Sequence, residues 1–297
     1  MKEDFLSEKD LNFDDYEPSD IAKKVESAGR EKAELGFLSL FLLSIMAGAF
    51  VAIAGEFYTI VIFDSPLSVG FTKLIGGICF SIGLILVVIA GAELFTGNTM
   101  MIMAFVSRVI TWKQLLKNWS VNYVGNFIGS LSVVLLMFLT NQWKTKEFML
   151  GAKAVQIAAA KTNLGFTEAF ISAILCNALV CLAVWMCFSA RSVISKIAAI
   201  IFPITVFVAS GFEHSIANMF LIPMGIVLKN NTDVLAALSR MAPDLDISRL
   251  NIGGFFGNLL PVTIGNMVGG SVMVGLIYWI VIILPRKRKD RASGKQD

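Results

Sequence analysis

The chain has 297 residues, of which 56% are hydrophobic and only 16% are charged, and its mean hydropathy is +0.73. This composition excludes an ordinary soluble domain. The formal net charge of +3 is too small to indicate a nucleic-acid-binding surface. Because the charges crowd the two ends and a few short connections, we predict an all-α integral membrane protein without a nucleic-acid partner.

Six apolar runs are long enough to cross a bilayer as helices. They cover residues 36–54, 74–106, 119–139, 169–190, 197–228 and 254–284. The second and fifth runs exceed one simple crossing, which predicts a helix, a break and a second half-helix in each. The predicted transmembrane domain is thus residues 36–285, in contact with lipid on its outer surface.

The segment before the first run, residues 1–35, contains a candidate amphipathic helix at residues 19–34. Ser19 or Asp20 could cap this helix, and Ile21, Val25 and Ala28 would share one face. The helix could lie along the membrane or pack against a neighbouring subunit. A loosely ordered polar tail is the alternative.

Lysine and arginine are unevenly distributed, since 17 of the 25 lie before the first run, after the last run, or in the second and fourth connections. The positive-inside rule then predicts that both termini are cytoplasmic, which agrees with an even number of crossings. Residues 286–297 would form a solvated basic tail on that side.

A motif Gly-x-Glu-x-x-x-x-Asn occurs in both long runs. It reads GAELFTGN at residues 91–98 and GFEHSIAN at residues 211–218. A carboxylate at membrane depth costs roughly 2.5–3.5 kcal/mol on insertion scales, so it indicates a functional site. We expect Glu93 and Glu213 to accept hydrogen bonds from backbone N–H groups freed at each break. Asn98 and Asn218 would support the same loops.

A second match links the third and sixth runs, which read GNFIGS from residue 125 and GNMVGG from residue 265. Three spans per half is an odd number, so the halves, about residues 36–140 and 165–285, must be inverted relative to each other. Inverted repeats with broken helices are typical of transport proteins. The glycines favour close helix packing, and Asn126 and Asn266 could bond a neighbouring helix or hold the backbone at a break.

His214 is the only histidine, which excludes multi-histidine metal centres and bis-histidine haem. No nucleophile motif accompanies it, so we expect neither an enzyme nor a cofactor or metal. Its position beside Glu213 at a predicted break, and its reference pKa of about 6.5, suit a proton-coupled anion site. A merely buried histidine is the alternative.

Other residues near the breaks are candidates for the pore. The hydroxyl of Thr96 could donate to an anion or to His214, or bond only its own backbone. Lys161 could be a vestibule charge or an ordinary loop lysine. Bulky apolar residues flank both breaks and would form dry constrictions if they face a pore: Phe80, Leu84, Leu94, Phe95 and Phe207.

The segments GAELFTGN, KNWSVNYVGNFIGS, SGFEHSIANMF and NLLPVTIGNMVGG resemble the formate/nitrite transporter family, and the likeness runs from about residue 36 to residue 284. This resemblance implies an aquaporin-like protomer, a homopentamer in the bacterial inner membrane and one pore per subunit. It favours formate as the substrate. Nitrite or hydrosulfide is the alternative, because the residues after Thr96 resemble nitrite-like members.

The resemblance also implies roles for single residues. It makes His214 the central pore histidine, Thr96 its loop partner and Asn177 a residue that contacts that histidine. It places Lys161 in the external vestibule. Four of the apolar residues match constriction positions, namely Phe80, Leu84, Leu94 and Phe207, and the N-terminal helix matches a segment associated with pH-dependent gating.

Overall fold

The computed structural model describes residues 16–292, with side chains up to residue 288, and this part of the chain is helical without strands. The helices are α1 (Pro18–Glu34), α2 (Phe37–Ile62), α3 (Val69–Phe80), α4 (Ile82–Ala90), α5 (Phe95–Asn98), α6 (Ile102–Val106), α7 (Trp112–Leu139), α8 (Met149–Thr162), α9 (Phe166–Ser189), α10 (Val193–Ser210), α11 (Ser215–Leu228), α12 (Thr232–Met241), α13 (Ile252–Val268) and α14 (Leu284–Ala292). Two π-helical stretches, Gly269–Leu276 and Trp279–Ile283, lie between α13 and α14.

Six helical segments of the described chain are long and apolar enough to cross a membrane, as predicted. They are Phe37–Ile62, Val69–Ala90, Trp112–Leu139, Phe166–Ser189, Val193–Ser210 and Ile252–Arg288. The shorter apolar helices Phe95–Val106 and Ser215–Leu228 complete the second and fifth crossings. The chain is therefore a multi-pass membrane protein.

The first span is longer than the prediction, which ended it at Ala54. The carboxyl group of Glu56 interrupts the apolar run in the sequence, but α2 continues to Ile62 with Glu56 only 5% exposed. Helix length here follows packing rather than the hydropathy of each residue.

Both predicted breaks are present, and each begins at a glycine. Helix α4 ends at Gly91 with φ 75°, and α10 ends at Gly211 with φ 73°. These left-handed conformations cost a residue with a Cβ atom energy, whereas glycine adopts them freely. Three residues without regular structure follow each glycine, and the next half-helix begins at Phe95 or at Ser215.

The two halves repeat the same helix contact. A Cβ atom on Gly129 of α7 would lie 2.0 Å from the carbonyl oxygen of Ile45 in α2, and one on Gly269 would lie 2.2 Å from that of Ile174 in α9. Such contacts leave no room for a side chain, so both glycines allow two helix backbones to approach closely. The structure thus supports the packing role predicted for these residues.

Helix α1 lies against the chain's own helices rather than forming a loose tail. It contacts α6, α7, α9 and the π-helical part of the last span. Of the three residues predicted to share one face, Ile21 and Val25 are buried and Ala28 is half-buried. Neither Ser19 nor Asp20 caps the helix, because it already begins at Pro18, whose fixed φ suits the first turn. Residues 1–15 and 293–297 lie outside the described part.

The predicted basic tail begins as helix α14, and two of its cations contact α1 instead of only solvent. Arg286 donates to the carbonyl oxygen of Ser19, and Lys287 forms an ion pair with Glu26. Because six crossings separate α1 from α14, both lie at the same end of the bundle, hereafter the α1 end. Helix α8 follows the third crossing and so lies at the opposite end, hereafter the α8 end.

Candidate functional site

The two breaks meet in the middle of the bundle through Thr96 and His214. The Oγ1 atom of Thr96 lies 3.0 Å from Nε2 of His214, and both residues are buried. His214 is also the N-cap of α11, since its Nδ1 accepts a hydrogen bond of 3.1 Å from the backbone N–H of Ala217. One side chain therefore caps a helix and faces the other break.

This geometry identifies the tautomer of His214. A ring nitrogen that accepts from a backbone N–H carries no proton, so the proton of the neutral ring is on Nε2. The Nε2–H group then donates to Thr96 Oγ1, and the hydrogen of the Thr96 hydroxyl is left to point to another acceptor. The pair offers a hydroxyl donor, oriented by the histidine, to a small anion.

Asn177 forms no hydrogen bond with His214 among the described residues, so the contact implied by the resemblance stays a prediction. Its Nδ2 atom lies 3.1 Å from the carbonyl oxygen of Thr96 and 2.7 Å from that of Asn266. A further bond of 3.1 Å joins it to the hydroxyl of Thr99. Helix α9 passes the backbone side of the first break, so Asn177 fixes the position of Thr96 and not of the imidazole.

The two motif glutamates have side-chain partners rather than the backbone N–H partners that we expected. Glu213 Oε1 lies 2.7 Å from the ammonium nitrogen of Lys161, and Glu93 Oε1 lies 2.5 Å from that of Lys32. The other oxygen of each carboxylate accepts from the motif asparagine, at 2.6 Å from Asn98 or Asn218. The ammonium of Lys161 is thus paired with a carboxylate, and its role in an external vestibule stays a prediction.

A further asparagine completes each of these networks, and sequence analysis missed both. Asn98 donates to Asn118 Oδ1 at 2.9 Å, and Asn218 donates to Asn258 Oδ1 at 2.7 Å. Asn118 in turn donates to the carbonyl oxygen of Lys32, and Asn258 to that of Lys161. The sequence carries a signal for them, because each lies eight positions before the Asn of a Gly-Asn pair.

The backbone at each break is held by the asparagines of the Gly-Asn pairs. Asn126 accepts from the N–H of Phe95 at 2.9 Å and donates to the carbonyl oxygen of Glu93 at 3.0 Å. Asn266 makes the same two bonds, at 2.9 and 3.0 Å, with Ser215 and Glu213. Both alternatives for these asparagines hold, since each also bonds a neighbouring helix, at Ser44 or Ala173.

Apolar side chains enclose the Thr96–His214 contact. The ring of Phe207 stacks on the imidazole with 5.9 Å between centroids, and Phe80 packs edge-on against Phe207 at 5.7 Å. Leu84 and Leu94 border a cavity of about 260 Å³ that opens toward the α1 end. Phe95 lies elsewhere, with its ring against Trp119 and Tyr123 of α7. Its role in a constriction stays a prediction.

The same cavity carries charged groups from three parts of the chain. Lys32 of α1, Glu93 of the first break and Lys196 of α10 line it. The first two form an ion pair, whereas Lys196 forms none with a carboxylate of the described residues. The α1-end cavity therefore keeps a net positive charge. No three metal-ligating side chains converge anywhere in the described range.

Comparison with known proteins agrees with this geometry. The family model described as "Formate/nitrite transporter" matches residues 19–280. The formate channel FocA of Escherichia coli K12 is 45% identical over 278 residues, covering 92% of this chain and 97% of the relative. A probable formate transporter of Methanothermobacter thermautotrophicus is 37% identical and covers 88% of this chain and 95% of the relative.

Two solved structures share the fold. A pentameric formate channel with formate bound superposes with a TM-score of 0.75 at 44% identity, covering 83% of this chain and 98% of that one. An ion channel of the FNT family superposes with a TM-score of 0.74 at 32% identity, covering 88% and 98%. With paired broken helices, a single buried histidine and these relatives, the chain belongs to the formate/nitrite transporter family.

Proposed function

We propose that the chain forms a homopentameric channel in the bacterial cytoplasmic membrane and that each subunit conducts formate and related small monovalent anions through its own pore. The observation that carries this proposal is the contact of Thr96 Oγ1 with His214 Nε2, 3.0 Å apart and buried among apolar side chains. The related formate channels and the pentameric solved structure support the substrate and the assembly. Both termini would lie in the cytoplasm, as the distribution of basic residues favours.

The anion would meet its largest energetic cost between the aromatic pair, Phe80 and Phe207, and the leucine Leu94. An unpaired charge in such an environment is very unfavourable, so it must be paired or neutralised. The Thr96 hydroxyl supplies one hydrogen bond. The second contribution is a proton from His214, which would convert formate to formic acid.

Proton transfer is constrained by the cap on α11. The neutral ring holds its proton on Nε2, so a proton reaching the ring must bind Nδ1 and displace the N–H of Ala217. The imidazolium then donates its Nε2 proton to the carboxylate, and the ring is left neutral with its proton on Nδ1. A second proton must then bind Nε2 before the Nδ1 proton leaves, which restores the Nε2–H ring and the cap on α11. Two protons are taken up and one is released, so the cycle balances with one proton per neutralised anion.

Flux measurements in proteoliposomes test this function. We expect Thr96→Val to lower formate flux about tenfold or more, because a hydrogen bond to a charged group is worth about 1.5–3 kcal/mol. Thr205→Val is the matched control, since the hydroxyl of Thr205 is buried in α10 and has no hydrogen-bond partner among the described residues. His214→Asn should remove the dependence of flux on pH. Unchanged rate and pH dependence in His214→Asn would exclude the proton role.

Competition in the same vesicles identifies the preferred anion. Formate flux should be inhibited more strongly by unlabelled formate than by nitrite or hydrosulfide. The opposite order would assign the chain to the nitrite or hydrosulfide alternative. Cross-linking of the purified protein checks the assembly, for which we expect a limit of five subunits, as in the pentameric relative.

A further inference from the structure

Helix α14 holds α1 at two points and also contacts the turn after α6. The ammonium nitrogen of Lys287 lies 2.9 Å from Glu26 Oε1 and 3.3 Å from the carbonyl oxygen of Ser107, which follows α6. The guanidinium of Arg286 lies 3.3 Å from the carbonyl oxygen of Ser19. Lys287 therefore joins α14, α1 and the turn after α6 in one cluster.

Helix α1 is also a wall of the α1-end cavity. Val25 and Gly29 border the cavity beside Lys32, and Val25 directly precedes Glu26. On the opposite side, a Cβ atom on Gly29 would lie 2.9 Å from Cβ of Ala104, so α1 is seated tightly on α6. A change in the position of Glu26 would thus move residues that shape the cavity and carry the ammonium that pairs with Glu93.

We infer that Lys287 is a positioning residue for the α1 end of the pore. By holding Glu26, Lys287 fixes the position of α1 relative to the bundle. Through α1, it also fixes the Lys32–Glu93 ion pair at the first break. The inference rests on the proposed function only in taking the cavity as one end of a conduction path. Its chemistry is an ion pair within the chain, between the last helix and the first.

A second group of contacts holds only the beginning of α1. Tyr16 and Ser189 exchange two hydrogen bonds, from Tyr16 N to Ser189 O at 3.3 Å and from Ser189 Oγ to Tyr16 O at 3.1 Å. Lys24 and Arg191 lie over the Tyr16 ring. Tyr16, on which these contacts converge, precedes α1 and lies ten positions before Glu26, so they do not replace the anchor in the middle of the helix.

The anchor is accessible to solvent on one side, which makes its contribution modest and dependent on salt. The Lys287 side chain is 38% exposed and that of Glu26 is 17% exposed. Pairs of this kind shift an equilibrium by about two- to five-fold and are screened as ionic strength rises. Loss of the pair should therefore loosen α1 without unfolding the bundle.

The thiol of Cys187 is the probe, because it borders the same cavity as Val25 and Gly29. The test protein is the full-length chain with the substitutions Cys79→Ala, Cys176→Ala and Cys181→Ala, so that Cys187 is its one remaining thiol. The rate at which N-ethylmaleimide alkylates Cys187 is measured by mass spectrometry. We expect Lys287→Ala to raise this rate about two- to five-fold. Lys287→Arg, which keeps the charge, should leave it unchanged.

Arg288→Ala is the matched control, since Arg288 is exposed and forms no hydrogen bond or ion pair with the described residues. The reversed pair Glu26→Lys with Lys287→Glu should restore the slow rate. Equal rates in Lys287→Ala and the parent, or an equal increase in Arg288→Ala, would overturn the inference. If Lys287→Ala does not assemble, the parent protein is measured at rising salt concentration, which should speed the alkylation of Cys187 by screening the ion pair. An alkylation rate that does not change with salt overturns the inference. The assay contains no transported anion, so its outcome is independent of the proposed substrate.

Discussion

The hydroxyl groups of Tyr123 and Thr263 lie 2.8 Å apart, and the two residues occupy equivalent positions in the two halves of the chain. Each lies two positions before the glycine of a Gly-Asn pair, Gly125 or Gly265. A bond between equivalent residues marks the axis that relates the halves. The contact between Thr96 and His214 is different in kind, because it joins residues that are not equivalent in the two halves.

We predict that Asn266→Ala destabilises the protein by about 3 kcal/mol or more, because it leaves the buried N–H of Ser215 and the carbonyl oxygen of Glu213 without partners. Asn126→Ala should have a similar effect in the other half. Thermal unfolding of the purified protein measures both. Ser132→Ala is the control, since its exposed hydroxyl bonds only its own helix. A midpoint for Asn266→Ala equal to that of the control would contradict the prediction.

Removal of the ammonium of Lys161 should be more harmful than removal of the whole ion pair. Lys161→Met leaves the buried carboxylate of Glu213 without its cation, at a cost of about 3–5 kcal/mol. The double variant with Glu213→Gln should regain most of that loss, since a neutral amide still bonds Asn218 and Asn258. The four proteins of this cycle are compared by chemical unfolding. Additive losses would show that the two groups act independently.

The close approach of the last span (Ile252–Arg288) to α9 makes Gly269, the first residue of the π-helical stretch after α13, intolerant of a side chain. We expect Gly269→Ala to reduce the yield of assembled protein and to lower its unfolding free energy by about 1–3 kcal/mol, because the new methyl group overlaps the Ile174 carbonyl. Gly257→Ala lies on the same helix with nothing within 4 Å of its Cβ position. It should be neutral or slightly stabilising. Equal behaviour of the two variants would exclude this packing argument.

Substitution of Glu56 should raise the free energy of unfolding, unlike the substitutions above. Its side chain is buried in α2 and forms no hydrogen bond or ion pair with the described residues. A polar group buried without a partner costs about 1–3 kcal/mol, so Glu56→Leu should raise the unfolding free energy by a similar amount. Glu56→Gln, which stays polar, should not. A loss of stability in Glu56→Leu would show that the carboxyl group has a partner in the assembled protein.

The sequence predicted the membrane spans, the two breaks and the inverted repeat because these follow from local patterns. Apolar runs set the crossings, and Gly91 and Gly211 end helices through their own backbone freedom. The partners of Glu93 and Glu213 follow from contacts that are distant in the sequence, since Lys32 precedes Glu93 by 61 positions. Such pairing depends on how α1 and α8 dock, and no local pattern encodes it.

In the site, too, local sequence patterns predict some features and contacts between distant segments decide the others. His214 and Thr96 could be chosen as candidates because each is chemically distinct within an apolar run. The cap that His214 places on α11, and the bond of Asn177 to the Thr96 carbonyl, require the relative positions of α9, α11 and the first break. These details arise from packing three separate segments, which a single sequence does not specify.

The ion pairs of Lys32 and Lys161 indicate which elements belong to the internal repeat. Each comes from a short helix that precedes its set of three crossings, and each closes the same network of a glutamate and two asparagines. Because the short helix supplies a partner to the network in each half, it belongs to the repeat. The repeated unit is therefore four elements long, a short helix and three spans. The two ends of the bundle thus carry copies of one hydrogen-bonded network, related by the inversion of the two halves.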